Sequence, residues 1–355
     1  MSTMKTSIPM TMKALVTQEN KTASLRDIPV PSIDDDELLI QNVAVAQNPT
    51  DWQYIDRVTN VDTIVGCDFS GYVVKIGKDV TSISVGDKVA GFTQGGNYTD
   101  RGAYAEYSKA SADLVWKIPD GTVTWEDAAT MGCAFWTAIQ GLFHPMRLGL
   151  VEIPHKVERE QWIFVYGGSS SVGMFAIQLA HLAGYQVVTT TSPKNFDLCK
   201  SLGADAIFDY KDPEVSSKIK AVTKDTLHHV FDTICTLQTQ TLAMKTFAPG
   251  PGKLIVIQPP QPDAQILRED VQIDHVLIYT ALGRDFVLFG KFYPAAPEDR
   301  VHMVQFLKKV PALVEKGLVK PNPVKLWEGG LASINDGLRY MKEGKNSGEK
   351  IVYRI

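Results

Sequence analysis

The sequence predicts a two-part α/β protein, in which a small all-β barrel accompanies a doubly wound parallel sheet. Three observations support this prediction. The chain has 355 residues, a length that suggests about two domains rather than one core. Its first part contains short strands with glycine corners, which are typical of a small barrel. From Trp162 onwards strands alternate with helices, which indicates βαβ units.

Composition and charge are those of an ordinary globular protein. Hydrophobic residues make up 44% and charged residues 21% of the chain, and the formal net charge is -4. There is no long basic stripe, so nucleic acid is not an expected partner. No apolar run reaches the length of a membrane span, and the polar stretch from Met1 to Met12 lacks a signal core. We therefore expect a cytoplasmic protein that does not enter a membrane.

The first part of the chain contains the strand candidates of the barrel. Strands are predicted at residues 12–16, 38–45, within 64–77, after 85 and at 102–107. The region 64–77 carries three glycines among β-branched residues, which favours tight corners. Between two of these strands, Asn48-Pro49 is a turn signal, and the polar residues Thr50 and Asp51 follow it.

The second part of the chain changes to strand–helix alternation. A helix at 125–142 with Thr124 as its N-cap leads through an irregular connection, 144–160, to the strand that begins at Trp162. Further strands are predicted at 186–191, 206–209, 229–232 and 253–257, and helices at 174–183, 195–202, 215–223 and 239–247. The remainder is predicted to hold one or two strands within 275–289, an aromatic loop at 292–297, helices at 301–316 and 334–341, and short strands near the end.

The stretch from Trp162 to Gly173 is a candidate phosphate site. An apolar strand is followed by a turn of glycines and serines and then by the start of a helix. Such a turn lets backbone N–H groups approach an anion, and the helix dipole favours negative charge there. Gly168-x-Ser170-x-x-Gly173 has serine at the second position of the G-x-G-x-x-G pattern, and serine is small enough for a pyrophosphate to approach. The stretch predicts a dinucleotide site; the alternative is a glycine-rich turn without a ligand.

Several ordered motifs resemble those of the medium-chain dehydrogenase/reductases. They are Asn48-Pro-Thr-Asp51, Gly66-Cys-Asp-Phe-Ser-Gly71, Val85-Gly-Asp-Lys-Val89, Gly102-Ala-Tyr-Ala-Glu-Tyr107 and the Gly168 turn. Within that superfamily, residues 190–198, Phe208-Asp-Tyr210 and Ser347-Gly-Glu-Lys350 look most like the fungal trans-acting enoyl reductases of polyketide biosynthesis, which are zinc-free. The resemblance implies a GroES-like β-barrel catalytic domain, residues 1–133 and 296–355, and an NADP-binding Rossmann domain, residues 134–295.

No metal is expected. Zinc alcohol dehydrogenases of the superfamily use a Cys, the His of a Gly-His-Glu motif and a further Cys. Here Asn48-Pro49-Thr50 occupies the first ligand position, and Gly66-Cys67-Asp68 replaces the Gly-His-Glu. A lone thiol cannot supply three zinc ligands. Cys67 is interpreted as a small buried residue, with a leftover ligand as the alternative.

NADPH is the expected cofactor. An NAD-specific fold carries an acidic residue after its second strand, but residues 189–194 contain none. Ser192 offers a hydroxyl and Lys194 a positive charge, and both suit a 2′-phosphate; the alternative is a solvated loop with an ordinary surface lysine. The resemblance adds Tyr210 to the phosphate site. The predicted cofactor-binding residues are Thr50, Asp51, Trp52, Gln53, Gly168, Ser169, Ser170, Ser171, Val172, Gly173, Ser192, Pro193, Lys194, Asn195, Tyr210, Ile257, Gln258, Gly348 and Glu349.

The expected reaction is hydride transfer to the β-carbon of an α,β-unsaturated acyl thioester. Charge then develops on the carbonyl oxygen, and hydrogen-bond donors stabilise it. By family position the catalytic candidates are Thr50, Gln53 and Thr137, although Thr50 and Thr137 are equally interpreted as support for the fold. The candidate substrate residues are Gly132, Cys133, Ala134, Phe135, Trp136, Thr137, Ala138, Ile139, Tyr279, Thr280, Ala281, Leu282 and Gly283. The aromatic loop 286–297 could cover a long hydrophobic substrate or pack between domains.

Two departures from the family leave the proton donor open. Many relatives have lysine where this chain has Gln53, and related mitochondrial-type enoyl reductases have a catalytic tyrosine near the position of Thr59. Water or the carrier environment could supply the proton instead. The leading hypothesis is an NADPH-dependent enoyl reductase acting on a carrier-bound acyl chain, with a polyketide synthase as a possible partner. The alternatives are a quinone or enone reductase for free small molecules and a catalytically silent NADPH-binding partner. The subfamily resemblance favours a monomer, and a dimer is possible.

Overall fold

The computed structural model describes residues 7–57 and 60–355, and it divides into two compact units. The first unit comprises the chain up to Cys133 and from Tyr279 to Ile355, and the second comprises Ala134–Ile278. The sequence prediction placed the second boundary at residue 296 instead. The segment from Tyr279 belongs with the first unit because the Tyr279 ring packs against Tyr54 and Phe92, with ring centroids 6.1 and 5.8 Å apart.

The first unit is built on antiparallel strands. In chain order its elements are β1 (Thr11–Gln18), β2 (Thr22–Pro29), β3 (Glu37–Ala46), α1 (Pro49–Asp56), β4 (Asp68–Ile76), β5 (Lys88–Phe92), β6 (Tyr107–Ser111), β7 (Val115–Lys117) and α2 (Trp125–Ala129). β1 and β2 form a hairpin. β3 is the central strand: it pairs with β4 from Leu38 to Ala46, with two irregularities in register, and its first half also pairs with β6. Every residue of β3 is buried, as expected of a strand that is covered on both faces.

The second unit contains a six-stranded parallel sheet. Its elements are α3 (Cys133–Phe143), β8 (Trp162–Tyr166), α4 (Ser171–Leu182), β9 (Gln186–Thr191), α5 (Phe196–Ser201), β10 (Ala206–Asp209), α6 (Val215–Val222), β11 (His229–Asp232), α7 (Leu237–Thr246), β12 (Gly252–Val256), α8 (Pro262–Gln265) and β13 (Val271–His275). The strand order is β10-β9-β8-β11-β12-β13. The order reverses between β8 and β11, and such a switch point is where open α/β sheets bind ligands.

The chain then returns to the first unit. The elements are β14 (Phe286–Leu288), β15 (Lys291–Tyr293), α9 (Pro297–Leu307), α10 (Val310–Glu315), β16 (Val324–Leu326), α11 (Ile334–Lys342) and β17 (Lys350–Arg354). β14 and β15 form a separate hairpin. β17 pairs with the last residues of β3, so the C-terminus completes the sheet that the N-terminal part began.

Several local predictions were wrong, and each has a physical reason. Asn48 does not begin a simple turn: it is the N-cap of α1, and Pro49 takes the first helical position, where its missing N–H costs nothing. The strand expected at 102–107 begins only at Tyr107. The strand β2 was not predicted, because most of its residues are exposed and it lacks a clear apolar pattern. The helix expected at 301–316 is divided into α9 and α10, with a proline in the first turn of α10.

Among the described residues, 7–57 and 60–355, no helix has the length and apolar character needed to cross a lipid bilayer.

Candidate nucleotide and catalytic site

The glycine turn after β8 is built as an anion site. Gly168 and Gly173 are buried, whereas Ser169, Ser170 and Ser171 are partly exposed at the N-terminus of α4. A Cβ on Gly168 would lie 2.2 Å from Thr189 Oγ1, and a Cβ on Gly173 would lie 2.2 Å from the Gly167 carbonyl oxygen. Both glycines are therefore needed for close packing of helix and strand. This geometry fits a bound pyrophosphate, because the serine side of the turn is accessible at a helix N-terminus.

Ser170 has a second role that its small size alone did not predict. It is the N-cap of α4, and its Oγ accepts a hydrogen bond of 2.9 Å from the Gly173 N–H. The same Oγ lies 2.8 Å from Thr233 Oγ1, which donates to the Tyr166 carbonyl. Ser170 thus connects the turn after β8 to the end of β11 across the switch point of the sheet.

The residues that follow β11 were missed in the sequence analysis. Asp232 accepts hydrogen bonds from the N–H groups of Ile234 and Cys235, at 2.9 and 3.0 Å. Cys235 adopts a left-handed backbone conformation, with φ of 66°, and its Sγ accepts a 3.1 Å hydrogen bond from the N–H of Ile257, a predicted cofactor residue. The rule that ligands bind beyond the carboxyl ends of parallel strands could have indicated this segment.

The predicted 2′-phosphate segment adjoins the glycine turn. The Gly168 N–H donates to the Thr190 carbonyl at 3.0 Å, and Thr191 Oγ1 donates to Ser169 Oγ at 2.7 Å. These bonds hold the end of β9 against the turn, and Ser192 and the short 3₁₀ helix Pro193–Asn195 follow directly. Lys194 is exposed, and Tyr210 is 38% exposed just after β10. Gln258 is exposed after β12.

In the first unit, α1 carries the predicted nicotinamide-end residues. Asn48 caps the helix, and its backbone N–H donates to Asp51 Oδ2 at 2.7 Å. Thr50, Trp52 and Gln53 are partly exposed on this helix. The ring of Trp52 lies 5.4 Å from the Lys342 ammonium and packs against the core of the unit, so this side chain is also engaged in the fold.

Asp51 faces the interior rather than solvent. It is 1% exposed, and its Oδ2 accepts a 2.6 Å hydrogen bond from the Tyr104 hydroxyl. Among residues 7–57 and 60–355, Asp51 Oδ1 has no hydrogen-bond partner. Burial raises the pKa of Asp51 to about 7, because desolvation disfavours the charged carboxylate. The predicted cofactor contact of Asp51 therefore remains a prediction, while its hydrogen bonds stabilise the start of α1.

A buried cation lies beside α1. Lys350, 1% exposed in β17, donates 2.5 Å to Asn48 Oδ1 and lies 3.0 Å from Asp68 Oδ2. Asp68 is fully buried and also accepts from Asn48 Nδ2, at 2.9 Å, and from the Cys133 N–H, at 2.6 Å. The cluster connects α1, β4, Cys133 and β17, all within the first unit. Lys350 was noted in the sequence only as part of a family motif.

Cys67 lies next to this cluster and is fully buried. Burial raises the pKa of its thiol well above the ordinary value, and the nearby Asp51 adds to the shift. Such a thiol packs as a small hydrophobe. In the part of the chain that the structure describes, no group of three His, Cys, Asp or Glu side chains is arranged to hold a metal ion, and none of the four cysteines forms a disulfide.

The structure brings two predicted site residues together, Thr50 and Tyr279. Their hydroxyl oxygens are 2.6 Å apart, although the residues are 229 positions apart in the chain. Tyr279 lies in the 3₁₀ helix Ile278–Leu282 and is 5% exposed. Burial raises the pKa of its phenol well above the ordinary value, so the hydroxyl stays protonated. Beside it, Tyr54 accepts a 3.1 Å hydrogen bond from Gln94 Nε2; neither was predicted as a site residue.

The other predicted substrate residues are mainly buried. Gly132 lies immediately before α3, and Cys133 begins this helix. Six further predicted residues follow on the helix, none more than 5% exposed: Ala134, Phe135, Trp136, Thr137, Ala138 and Ile139. Ala281 and Leu282 are also buried, and Thr280 donates a hydrogen bond to Asp299. Gly283 has a positive φ and packs against Arg300. These contacts support the fold and leave direct substrate contact untested.

Two remaining predictions concern positions near the ends of the site. Gly348 and Glu349 lie immediately before β17, and Glu349 forms an ion pair of 3.1 Å with Lys325. Thr59, where relatives have a catalytic tyrosine, lies outside the described residues.

Comparisons with known proteins match both units. Residues 34–120 match the alcohol dehydrogenase GroES-like domain family, and residues 171–298 match the zinc-binding dehydrogenase family. A trans-enoyl reductase of Alternaria alternata is 38% identical over 351 residues, which covers 98% of this chain and 99% of the relative. A trans-enoyl reductase of Aspergillus niger is 35% identical over 365 residues, with 98% of each chain covered.

A solved structure supports the same fold. A mycobacterial protein determined in complex with NADPH superimposes with a TM-score of 0.74 at 22% identity, covering 97% of this chain and 100% of the other. The predicted fold class, a GroES-like domain with a Rossmann-type parallel sheet, is confirmed, and the second unit is of the kind that binds a nucleotide cofactor. The chain belongs to the medium-chain dehydrogenase/reductase superfamily and, within it, to the family of the fungal trans-enoyl reductases.

Proposed function

We propose that the protein is an NADPH-dependent enoyl reductase that acts on an α,β-unsaturated acyl thioester. The observation that carries this proposal is the similarity over nearly the whole chain to trans-enoyl reductases, 38% with one of them. The two local features that the reaction requires are present in the chain. The second unit has the glycine turn for the pyrophosphate, and the first unit has a hydroxyl donor, Thr50, on α1.

The proposal of NADPH rather than NADH rests on the segment beside the glycine turn. Ser192 and Lys194 follow β9, which is tied to Ser169 through Thr191. Lys194 is exposed and can contact a 2′-phosphate. Residues 189–194 contain no acidic side chain of the kind that binds the ribose 2′-hydroxyl in NAD-specific folds. The structure of a related fold with NADPH supports the same choice.

The proposed reaction uses few protein groups. When bound, a reduced nicotinamide would supply the hydride that joins the β-carbon. Negative charge then develops on the thioester carbonyl oxygen, and Thr50 Oγ1 donates a hydrogen bond to it. Gln53 and Thr137 are further proposed donors, and water supplies the proton to the α-carbon. Residues 132–139 and 279–283 remain the proposed substrate segments, and a chain carried by a polyketide synthase is the proposed natural substrate.

A comparison of three electrophiles tests this proposal. Purified protein is given NADPH with crotonyl-pantetheine, with a free enone or with a quinone, and the loss of reduced-nicotinamide absorbance is followed. We expect turnover of the thioester at the highest kcat/KM. Turnover of the quinone alone would favour a quinone reductase, and tight NADPH binding without any turnover would favour a silent NADPH-binding partner.

A charge variant tests the cofactor assignment. Lys194→Ala should raise the dissociation constant of NADPH about tenfold or more and leave that of NADH nearly unchanged, because only NADPH carries the 2′-phosphate. Lys200→Ala is the matched control, since Lys200 is an exposed lysine on α5 of the same unit. Equal losses for both cofactors in Lys194→Ala would refute the assignment.

A further inference from the structure

Thr50 and Tyr279, whose hydroxyls form a pair, differ in their exposure to solvent. Thr50 is partly exposed on α1, whereas Tyr279 is 5% exposed behind it. At 2.6 Å, the two oxygens share one hydrogen bond, so one hydroxyl donates and the other accepts. The arrangement pairs the phenol of a buried residue with the aliphatic hydroxyl of a partly exposed one.

We propose that Tyr279 is a positioning residue that orients the Thr50 hydroxyl as a donor to the developing enolate oxygen. The inference rests on the proposed function. Tyr279 donates its proton to Thr50 Oγ1 and occupies one lone pair of that oxygen. The hydrogen of Thr50 is then turned away from Tyr279, and this polarised hydroxyl donates more strongly, because hydrogen bonds in a chain reinforce each other.

The surroundings of Tyr279 keep the phenol fixed and protonated. Its ring packs edge-on against Tyr54 and Phe286, at 6.1 and 5.9 Å between centroids, and against Phe92 at 5.8 Å. Burial also raises the pKa of this phenol, so the donor is not lost by ionisation at neutral pH. A donor that is already oriented needs no reorganisation as charge develops, which is the condition for effective oxyanion stabilisation.

The proposed step balances without consuming either hydroxyl. Hydride joins the β-carbon, the electron pair of the C=C bond moves towards the carbonyl oxygen, and the α-carbon takes a proton from water as the carbonyl re-forms. Thr50 and Tyr279 keep their own protons throughout. Tyr279 thus acts through Thr50 and needs no contact with the substrate.

A double-mutant cycle tests this dependence. Thr50→Val keeps the β-branched shape and should lower kcat for crotonyl-pantetheine about 100-fold, and Tyr279→Phe keeps the ring and should lower kcat about tenfold. KM should change by less than about twofold in each, because the lost interaction strengthens in the transition state. The double variant should be no slower than Thr50→Val alone. Multiplied losses in the double variant would overturn the inference, since Tyr279 would then act independently of Thr50.

A spectroscopic measurement gives a readout other than activity. Isotope-edited infrared spectra of crotonyl-pantetheine bound with NADP⁺ report the polarisation of the thioester carbonyl. We expect the band of the wild type to lie below that of the free thioester, and this shift to be smaller in Tyr279→Phe. Tyr340→Phe is the control, because Tyr340 is a phenol of the same unit that lies outside the proposed site and packs edge-on against Trp327, with ring centroids 5.2 Å apart. An unchanged band in Tyr279→Phe would contradict the inference.

Different results would refute the proposed enoyl reductase activity and the positioning role of Tyr279. If the wild type does not reduce crotonyl-pantetheine, the proposed function fails and the inference falls with it. If the wild type reduces it and Tyr279→Phe has the kcat of the wild type with an unchanged melting temperature, the inference alone is wrong. A large loss of kcat in Tyr279→Phe, together with a lowered melting temperature and an equal loss in Tyr340→Phe, would indicate a structural role and would also overturn the inference.

Discussion

Replacing Lys350 by methionine should destabilise the first unit strongly. Methionine keeps most of the length of the side chain and removes the ammonium group. The ammonium lies 3.0 Å from Asp68 Oδ2, and the two side chains are 1% and 0% exposed. The variant leaves the Asp68 carboxylate in the interior without its counter-charge.

The expected size of the effect follows from this burial. Removing one partner of a buried ion pair costs about 3–5 kcal/mol, because the remaining charge is uncompensated. Asn48 Oδ1, 2.5 Å from the ammonium, also loses its donor and adds to the cost. For a unit of this size, such a loss corresponds to a fall in melting temperature of about 10 °C.

The assay is thermal unfolding followed by circular dichroism, together with amide hydrogen exchange of α1, which Asn48 begins. The double variant Asp68→Asn/Lys350→Met removes both charges, and it should recover more than half of the lost stability, because a neutral amide can still accept from the Cys133 N–H. A fall of less than about 2 °C in Lys350→Met, or a double variant that is no more stable than the single one, would refute the reasoning.

Two further predictions concern a titrating group and a glycine. The pKa of Asp51 is about 7 in the folded chain, above its ordinary value of 3.8; the protonated acid therefore contributes stability at low pH that is lost as the pH rises through about 7. Between about pH 5 and pH 8 the wild type should therefore lose about 2–3 kcal/mol of unfolding free energy that Asp51→Asn keeps, because asparagine does not titrate. Urea titrations of both proteins measure this, and a difference between them that stays constant with pH would contradict it. Gly173→Ala places a Cβ 2.2 Å from the Gly167 carbonyl oxygen. NADPH binding, measured by fluorescence, should therefore weaken about tenfold or more. An unchanged affinity would show that the backbone of the turn can shift to accept the Cβ without loss of binding.

The parts of the fold with a strong local pattern were predictable. The predicted strands 186–191, 206–209 and 229–232 coincide with β9, β10 and β11. Their apolar runs and the intervening helical periods are properties of neighbouring residues, and so is the glycine turn before α4. Thr124 was likewise predicted as an N-cap from the acidic residues after it, and it caps α2.

The wrong or missing predictions involve sequence signals that fit two different structures, or contacts between residues that are distant in the chain. An Asn-Pro pair begins either a turn or a helix, and only the packing of the following residues decided for α1. The hydrogen bonds of Lys350 with Asn48 and of Tyr279 with Thr50 span 302 and 229 residues. No period or spacing in one sequence reports such contacts, so the positions were predictable as family matches while their interactions were not.

The division of the chain has a consequence for the order in which the protein folds during synthesis. The second unit is continuous, Ala134–Ile278, so all of its parallel strands are available before the ribosome has finished the chain. The first unit lacks β17 until residues 350–354 are translated, and this strand begins with Lys350. Domains usually fold from the N-terminus onwards. Here the second unit can fold before the sheet of the first unit is complete. β3 can already pair with β4 and β6, but its last residues have no β17 partner until that strand leaves the ribosome.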